Sequence, residues 1–361
     1  MLYSPHEQGL LMSNAGLLGT RVIGLGRYVP ERVLTNFDLE RMVETSDAWI
    51  RERTGIRERH IAADHETSST MAVEAARRAL AMAGCDPLDL DLIIVATTTP
   101  DGLFPAVSSL VQHRLGARRA GAFDINAACV AFLSAFSTAS QFLATGACSR
   151  ILIVGSEVLS RIVDWTDRST CVLFGDGAGA AVLEAAPGAR PPAFVLHSDG
   201  GGAEALWAPG PCGPRPQLED KYFVHMDGPT VFKFAVHAME QVSREVMERA
   251  GWSPENIDLL VAHQANYRII KATAKALGLP MERAVVNIDR YGNTSTASIP
   301  MALCEALEEG RLREGDRVLM TAFGGGLVWG AVAFEWSGVS ASGPAEAPAA
   351  SELSARAGHL R

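Results

Sequence analysis

The sequence predicts an α/β protein in which one layered unit is present twice. The segment around Pro87 that leads into the apolar run 92–95 resembles the segment around Pro254 that leads into 259–262, and Arg150 before Ile-Leu-Ile matches Arg317 before Val-Leu-Met, both at an offset of 167 residues. In each copy, continuous apolar runs alternate with amphipathic helical segments, which is typical of parallel or mixed sheets covered on both faces. With 361 residues, the chain is long enough for two such halves.

The two halves share one predicted order of elements. An amphipathic helix is expected over 70–84 and again over 231–251; each ends at a glycine, passes a proline-containing turn and enters a buried strand. A second helix is expected over 128–146 and over 295–310, each followed by a second buried strand. The predicted organisation is an N-terminal extension at 1–18, a first half at 19–190, a second half at 191–338 and a tail at 339–361.

Two segments lack a clear period. Residues 199–229 are rich in glycine and proline and are expected either to run over the surface and cover a site or to act as a plain connector. After Trp336 the sequence consists largely of serine, alanine, proline and glycine, so this tail is predicted to be disordered.

The composition excludes several classes of protein. Apolar residues make up 48% and charged residues 20%, as in ordinary soluble globular proteins, and the net charge of −9 argues against nucleic acid or an anionic membrane as the main partner. The six cysteines include no CxxC pair, which argues against a zinc site or a disulfide framework and favours a reducing cytoplasm. Residues 1–16 lack the basic start of a signal peptide, and no apolar run approaches the ~20 residues that span a bilayer.

Three polar residues are expected to form one site. Cys129, His263 and Asn293 each lie where a predicted apolar strand gives way to small residues. Cys129 falls at a strand-to-helix junction, where unpaired N–H groups and the helix dipole favour thiolate over thiol, so it is predicted to be a nucleophile that attacks an acyl group. Taken singly, each has a structural alternative: a buried small cysteine, a histidine that caps a strand end and an asparagine that satisfies a turn.

A glycine-rich segment, Phe-Gly-Asp-Gly-Ala-Gly at 174–179, superficially resembles a phosphate-binding fingerprint. It runs into a predicted strand at 180–184 and does not open a helix, so nucleotide binding is rejected. Close packing of strands is the preferred interpretation.

Five motifs, read together and in order, resemble those of β-ketoacyl-acyl carrier protein synthase III, a family of the thiolase superfamily. They are NAAC at 126–129, FGDGAGAAVLE at 174–184, HQAN at 263–266, YGNTSTASIP at 291–300 and FGGGLVWG at 323–330. The resemblance extends from about Arg21 to about Trp336. It implies a thiolase-like duplicated five-layer αβαβα fold, in agreement with the internal repeat.

The resemblance implies a decarboxylative Claisen condensation that starts fatty acid synthesis. Cys129 would take the acyl group of an acyl-CoA, and malonyl-acyl carrier protein would then lose carbon dioxide and attack the acyl-enzyme. His263 and Asn293 would donate hydrogen bonds to the malonyl thioester oxygen, and the backbone N–H groups of Cys129 and Gly325 would form an oxyanion hole for the acyl-enzyme stage. Neither a metal nor another cofactor is expected.

The family also implies where the substrates bind. Trp49 would stack on the adenine of CoA with Arg168 on its opposite face, Arg53 would lie near the CoA phosphates, and Asn266 belongs to the same set. Without the resemblance, an exposed tryptophan beside salt-bridged arginines is the preferred interpretation.

Three basic residues, Lys233, Arg268 and Lys275, match the patch that the family presents to its acidic carrier protein, although each is equally consistent with a solvated helix face. Phe104 matches the position where the partner subunit of a homodimer closes the acyl channel, and its bulk predicts short primers.

The sequence departs from the common pattern around the acyl and pantetheine channels. Asn126, Val130, Trp165 and Pro229 replace residues that are usual in housekeeping members, so the choice of primer stays open. The alternatives are a starter-unit ketosynthase of polyketide or other secondary metabolism, an acyltransferase that forms no carbon–carbon bond, and a catalytically silent partner subunit.

Overall fold

The computed structural model describes residues 16–213 and 222–339. Its strands are β1 (Gly19–Tyr28), β2 (Arg32–Thr35), β3 (Glu58–Ile61), β4 (Leu92–Ala96), β5 (Gly121–Ile125), β6 (Arg150–Glu157), β7 (Gly177–Ala186), β8 (Ala193–Ser198), β9 (Leu206–Trp207), β10 (His225–Met226), β11 (Leu259–Ala262), β12 (Arg317–Gly324) and β13 (Val328–Glu335). Its α-helices are α1 (Asn36–Leu39), α2 (Asp47–Thr54), α3 (Ser68–Ala83), α4 (Val107–Leu115), α5 (Ala131–Ala144), α6 (Arg168–Cys171), α7 (Gly228–Ala250), α8 (Tyr267–Ala276), α9 (Ile288–Tyr291) and α10 (Ser298–Glu308).

The two large sheets repeat one strand order. The first runs β1-β7-β6-β4-β5 and the second runs β8-β13-β12-β11. In both, the last pair of the shared order is parallel (β6 with β4, β12 with β11) and the other two pairs are antiparallel. Where the first sheet adds β5, the second has an isolated bridge between Leu260 and Ala284. The predicted duplication is confirmed.

The helices complete five layers. Buried residues of α3 and α4 pack on the outer face of the first sheet, and those of α7 and α8 pack on the outer face of the second. The largest core lies between the sheets, where α5 and α10 contact strands from both. The layer order αβαβα therefore follows from the contacts, as predicted. The predicted boundary between the halves, at residues 190 and 191, falls in the connection between β7 and β8. It stays a proposal.

The outer helices begin and end with local signals. α3 begins at a capping box made by Thr67 with Thr70, and α7 begins where the side chain of Asp227 accepts a hydrogen bond from Thr230 N. They end at Gly84 and Gly251, both left-handed. The structure thus confirms the helices expected over 70–84 and 231–251, with starts two to three residues earlier.

The two central helices begin later than expected. α5 and α10 carry buried side chains on nearly every face because each is covered by both sheets. Before α5, Ala128 takes a left-handed φ of 42° and Val130 is the N-cap; before α10, residues Ser295–Ala297 form a 3₁₀ turn. Cys129 and Asn293 therefore lie in tight turns ahead of the two helices and not in their first turns.

The glycine- and proline-rich linker contacts the second half. Residues Gly200–Ala205 form a 3₁₀ turn, and β9 pairs with β10. A methyl group on Gly325 would lie 2.7 Å from the carbonyl oxygen of Leu206, so the linker passes directly over the FGGG motif. The predicted N-terminal extension up to residue 15, the linker residues 214–221 and the tail from residue 340 lie outside the described residues. Within the described ranges, no helix combines the length and apolar character needed to cross a membrane.

Candidate active site

Cys129 lies in a tight turn between β5 and α5. The turn is closed by Val130 N donating to Ala127 O at 3.0 Å and Ala131 N donating to Ala128 O at 3.0 Å. A methyl group on Gly324 would lie 2.8 Å from the backbone nitrogen of Cys129, so only glycine allows this approach of β12 to the turn. The FGGG motif and the cysteine turn are thus in direct backbone contact across the two halves.

The sulfur of Cys129 accepts a hydrogen bond from the second half. The hydroxyl of Ser295 lies 3.3 Å from Sγ. Ser295 has a left-handed φ of 47°, and its backbone N–H donates to Oδ1 of Asn293 at 2.9 Å. This local bond fixes the unusual turn, and the turn places the hydroxyl against the Cys129 sulfur.

The surroundings of Cys129 act on its pKa in both directions. Burial raises the pKa of the Cys129 thiol to about 12, the hydrogen bond from Ser295 opposes this rise, and the negative charge of Glu157 adds to it. The prediction that a helix start favours the thiolate stays a prediction: α5 begins two residues beyond the sulfur, and burial of Cys129 acts against the anion. Part of the Cys129 residue is exposed to solvent.

His263 follows β11 and is buried, with 1% of its surface exposed. Its backbone N–H donates to Thr321 O at 2.8 Å, and its Nδ1 lies 2.7 Å from the hydroxyl of Ser298. Burial lowers the pKa of His263 to about 3, so the imidazole is neutral at pH 7. Since Ser298 engages Nδ1, Nε2 is the nitrogen available to a substrate.

Asn293 is held by its backbone and by one end of its carboxamide. Its N–H donates to Leu173 O at 2.8 Å, its carbonyl accepts from Gly175 N at 3.0 Å, and Oδ1 is occupied by Ser295 N. The donor end, Nδ2, is thereby left for a substrate oxygen. The sequence placed Asn293 after a strand, which is wrong: it follows the short helix α9, because residues 284–287 form only a single bridge and not a ladder.

Two serines connect the three predicted side chains. Ser295 contacts Cys129 and bonds Asn293, and Ser298, three residues further on, contacts His263. Both serines belong to the motif YGNTSTASIP. The sequence does not indicate which side chain a serine hydroxyl will contact, so neither contact was predicted.

A buried acid lies behind this segment. Glu157, the last residue of β6, is completely buried and accepts hydrogen bonds from the hydroxyls of Thr98, Thr99 and Thr296, the last at 3.1 Å. Burial raises the pKa of its carboxyl. The sequence signal for this buried acid is a carboxyl at the end of a strand, Arg-Ile-Leu-Ile-Val-Gly-Ser-Glu, that was predicted to be buried.

The predicted CoA residues come together at the surface. The guanidinium carbon of Arg168 lies 5.1 Å from the Trp49 ring centroid and that of Arg53 lies 5.9 Å from it. Arg168 also donates to Glu44 O at 2.9 Å. In this structure the guanidinium groups therefore lie over the indole ring. A purine is also flat, so it suits the same indole face, either in place of an arginine or beside it.

Asn266 has a structural role in the same region. Its Oδ1 accepts a hydrogen bond from Arg268 N at 2.9 Å, which caps α8, and its Nδ2 donates to Arg53 O at 3.0 Å. Both ends of the carboxamide are used by the protein, so Asn266 links α8 to the segment that carries Trp49 and Arg53.

The remaining predicted residues are exposed. Lys233 lies on α7, and Arg268 and Lys275 lie on α8, which packs against α7; all three side chains reach solvent. The Phe104 ring is 85% exposed beside Leu103 at 65%, so residues 103–104 form an uncovered apolar patch on the single chain.

Comparisons with known proteins agree with one another. The chain matches the family description 3-oxoacyl-acyl-carrier-protein (ACP) synthase III over residues 123–200 and the C-terminal part of the same family over residues 247–336. It is 55% identical to the β-ketoacyl-acyl-carrier-protein synthase III of Symbiobacterium thermophilum, over 87% of this chain and 97% of that protein.

Solved structures show the same likeness. The 3-oxoacyl-acyl-carrier-protein synthase III from Aquifex aeolicus VF5 superposes with a TM-score of 0.83 at 49% identity, covering 88% of this chain and 100% of the other. The priming β-ketosynthase from the R1128 polyketide biosynthetic pathway superposes with a TM-score of 0.83 at 37% identity, covering 89% and 97%.

Proposed function

The chain belongs to the β-ketoacyl-acyl-carrier-protein synthase III family, and we propose that it condenses the acyl group of an acyl-CoA with malonyl-acyl carrier protein. The observation that carries this proposal is the 293–298 segment, which contacts Cys129 through Ser295 and His263 through Ser298. One segment thereby aligns a nucleophile with two neutral hydrogen-bond donors.

In the first step, Cys129 Sγ attacks the thioester carbonyl of the acyl-CoA. The new carbon–sulfur bond forms as the bond to CoA breaks, and the proton of the thiol ends on the CoA sulfur. The backbone N–H groups of Cys129 and Gly325 would stabilise the tetrahedral oxyanion; the close approach of β12 at Gly324 supports this assignment. The hydrogen bond from Ser295 stabilises the developing thiolate.

In the second step, the malonyl thioester loses carbon dioxide and leaves an enolate. Asn293 Nδ2 and His263 Nε2 are the ends left free by Ser295 and Ser298, and we assign them as donors to the enolate oxygen. A neutral imidazole suits this task, because it donates without carrying a buried charge. The enolate carbon then attacks the acyl-Cys129 carbonyl, the Cys129 thiolate leaves and takes a proton from solvent, and a 3-oxoacyl carrier protein is released.

Substrate delivery is assigned to the surface. Trp49, Arg168 and Arg53 form an aromatic and cationic cluster suited to an adenine and its phosphates. The exposed cations Lys233, Arg268 and Lys275 are proposed to receive the acidic carrier protein, on a chain whose net charge of −9 would otherwise repel it. The apolar patch around Phe104 is proposed to contact a second copy of the chain. The proposed location is the cytoplasm, because six unpaired cysteines suit a reducing compartment.

The proposal is tested by intact mass spectrometry with a panel of acyl-CoAs. We expect the mass of one acyl group to be added to the wild-type chain and not to Cys129→Ala, with His263→Ala and Asn293→Ala still acylated but unable to release carbon dioxide from malonyl carrier protein. Carbon dioxide release by Asn293→Ala at the wild-type rate would contradict the donor assignment.

The panel also separates the two pathway classes. Preference for acetyl-CoA with acetoacetyl carrier protein as product supports initiation of fatty acid synthesis. Preference for a longer or unusual primer supports a starter-unit role, to which the likeness to the R1128 priming enzyme points.

A further inference from the structure

We propose that Ser298 is a positioning residue that fixes the tautomer of His263, so that the imidazole proton sits on Nε2. The catalytic consequence rests on the proposed function, whereas the tautomer itself is a property of the free protein. The two are therefore tested separately below.

Proton counting at Ser298 supports the assignment. Its hydroxyl oxygen lies 2.7 Å from Nδ1 of His263 and 3.4 Å from the backbone nitrogen of Gln264. The Gln264 N–H can only donate, so it points its proton at Oγ. The hydroxyl oxygen has two lone pairs, so it could also accept from an Nδ1–H, but the hydroxyl proton would then have no acceptor among the described residues, because Oγ makes only these two contacts and Ser298 is 2% exposed. Donation of that proton to Nδ1 satisfies all the groups, and a neutral imidazole that accepts at Nδ1 carries its proton at Nε2.

The surroundings hold this arrangement in place. Ser298 is the first residue of α10 and is 2% exposed. The side chain of Gln264 donates to Ala262 O at 2.8 Å and to Val285 O at 3.1 Å, and its Oε1 accepts from Asn287 N at 3.0 Å. The strand end that carries His263 is thus anchored on one side by these bonds, and the Ser298 hydroxyl meets the ring from the other.

The tautomer matters because His263 is neutral. A buried imidazole without charge has one N–H, and only the nitrogen that carries it can donate to an enolate oxygen. With the proton on Nδ1, Nε2 would present a lone pair to the developing negative charge and repel it. A single hydroxyl therefore decides whether His263 assists or opposes decarboxylation.

The first experiment measures the tautomer directly. Side-chain ¹⁵N chemical shifts of ¹⁵N-histidine-labelled protein distinguish protonated from unprotonated ring nitrogens, and His263→Ala assigns the signal. We expect protonated Nε2 and unprotonated Nδ1 in the wild type at pH 7, and appearance of the Nδ1–H form in Ser298→Ala. A wild-type signal with Nδ1 protonated, or an unchanged signal in Ser298→Ala, would overturn the proposal. If Ser298→Ala does not fold, the wild-type spectrum by itself shows which ring nitrogen of His263 carries the proton and so tests the proposal.

The second experiment separates the two half-reactions. In Ser298→Ala we expect malonyl decarboxylation to fall about 10-fold or more, toward the about 10²- to 10³-fold loss that follows removal of one oxyanion donor, while acylation of Cys129 by acyl-CoA changes less than about 2-fold. Ser298→Thr, which keeps the hydroxyl, should recover decarboxylation.

The matched control is Ser140→Ala. Ser140 is a buried serine of α5 whose hydroxyl donates to Phe136 O at 2.8 Å, and its loss should spare both half-reactions. Equal loss of both half-reactions in Ser298→Ala would mean that Ser298 only supports packing. If the tautomer shifts as expected but the wild type releases no carbon dioxide, the proposed function fails and the role of Ser298 in fixing the ring stands.

Discussion

The Ser295 hydroxyl lies 3.3 Å from the Cys129 sulfur and joins two residues that are 166 positions apart. The contact links the turn before α10 to the turn before α5, so the second half of the chain completes the environment of the Cys129 sulfur. Two groups act on the Cys129 pKa in opposite directions: Ser295 lowers it and Glu157 raises it. Reactivity of the sulfur should therefore respond to changes in either.

Loss of the Ser295 hydroxyl should slow alkylation of Cys129. Ser295→Ala removes a hydrogen bond that stabilises the thiolate, and a bond worth about 1 kcal/mol corresponds to an about 5-fold lower thiolate population. Peptide mass spectrometry of the iodoacetamide reaction at pH 8 measures this rate at Cys129 alone. Ser140→Ala should react like wild type, and an unchanged rate in Ser295→Ala would show that the contact does not act on the sulfur.

Neutralising Glu157 should have the opposite effect. Glu157→Gln keeps the shape of the side chain and removes a negative charge that opposes the thiolate, so the pKa of Cys129 should fall and alkylation at a given pH should accelerate. The full profile between pH 7 and 10 is informative, because the wild-type rate should still be rising at pH 10 for a pKa of about 12.

An exposed acid provides the comparison for Glu157. Glu74→Gln removes one charge from α3 at a site paired with Arg77 and should leave the alkylation profile unchanged. A slower reaction in Glu157→Gln would instead show that the carboxyl mainly holds Thr296 and its neighbours in place.

The buried His263 should reduce stability in acid. The pKa of His263 is about 3 in the folded chain and about 6.5 when unfolded, so the unfolded state binds the proton first as the pH falls. Its contribution is complete above about pH 6.5 and declines by up to about 1.4 kcal/mol per pH unit between about pH 6.5 and 3. His263→Asn should therefore show a shallower loss of unfolding free energy between pH 7 and 4 in urea titrations.

The matched variant for this test is His65→Asn, which replaces an exposed histidine. Its stability should follow the wild-type pH dependence closely. Identical slopes for wild type and His263→Asn would rule out a neutral buried His263.

CoA binding should depend on the stack at Trp49. Removing either flat group, in Trp49→Ala or Arg168→Ala, should weaken CoA binding about 2- to 30-fold, as expected for a loss of about 0.5 to 2 kcal/mol of stacking energy. Isothermal titration calorimetry with CoA measures the change.

A second tryptophan–arginine pair serves as the control. Arg317 lies 5.7 Å from the ring centroid of Trp252, in the turn after α7, and Arg317→Ala should bind CoA like wild type. Undiminished CoA binding in both Trp49→Ala and Arg168→Ala would remove this cluster from the substrate site.

Much of the fold was predictable because it depends on patterns of neighbouring residues in the sequence. The offset repeat and the glycine-terminated helices α3 and α7 depend on capping and on apolar periodicity, and both were found as expected. The starts of α5 and α10 were not predicted correctly, since the left-handed residues Ala128 and Ser295 have side chains that give no hint of positive φ. Tertiary contacts impose those two turns.

The chain by itself determined the doubled architecture, the family and the identity of the three polar residues expected to react. Tertiary structure alone decided their surroundings: burial that raises the pKa of Cys129 and lowers that of His263, and hydrogen bonds from Ser295 and Ser298 that hold the carboxamide and the ring. The reason is that desolvation and hydrogen-bond partners depend on which segments meet, and the groups that set these states come from parts of the chain far apart in sequence.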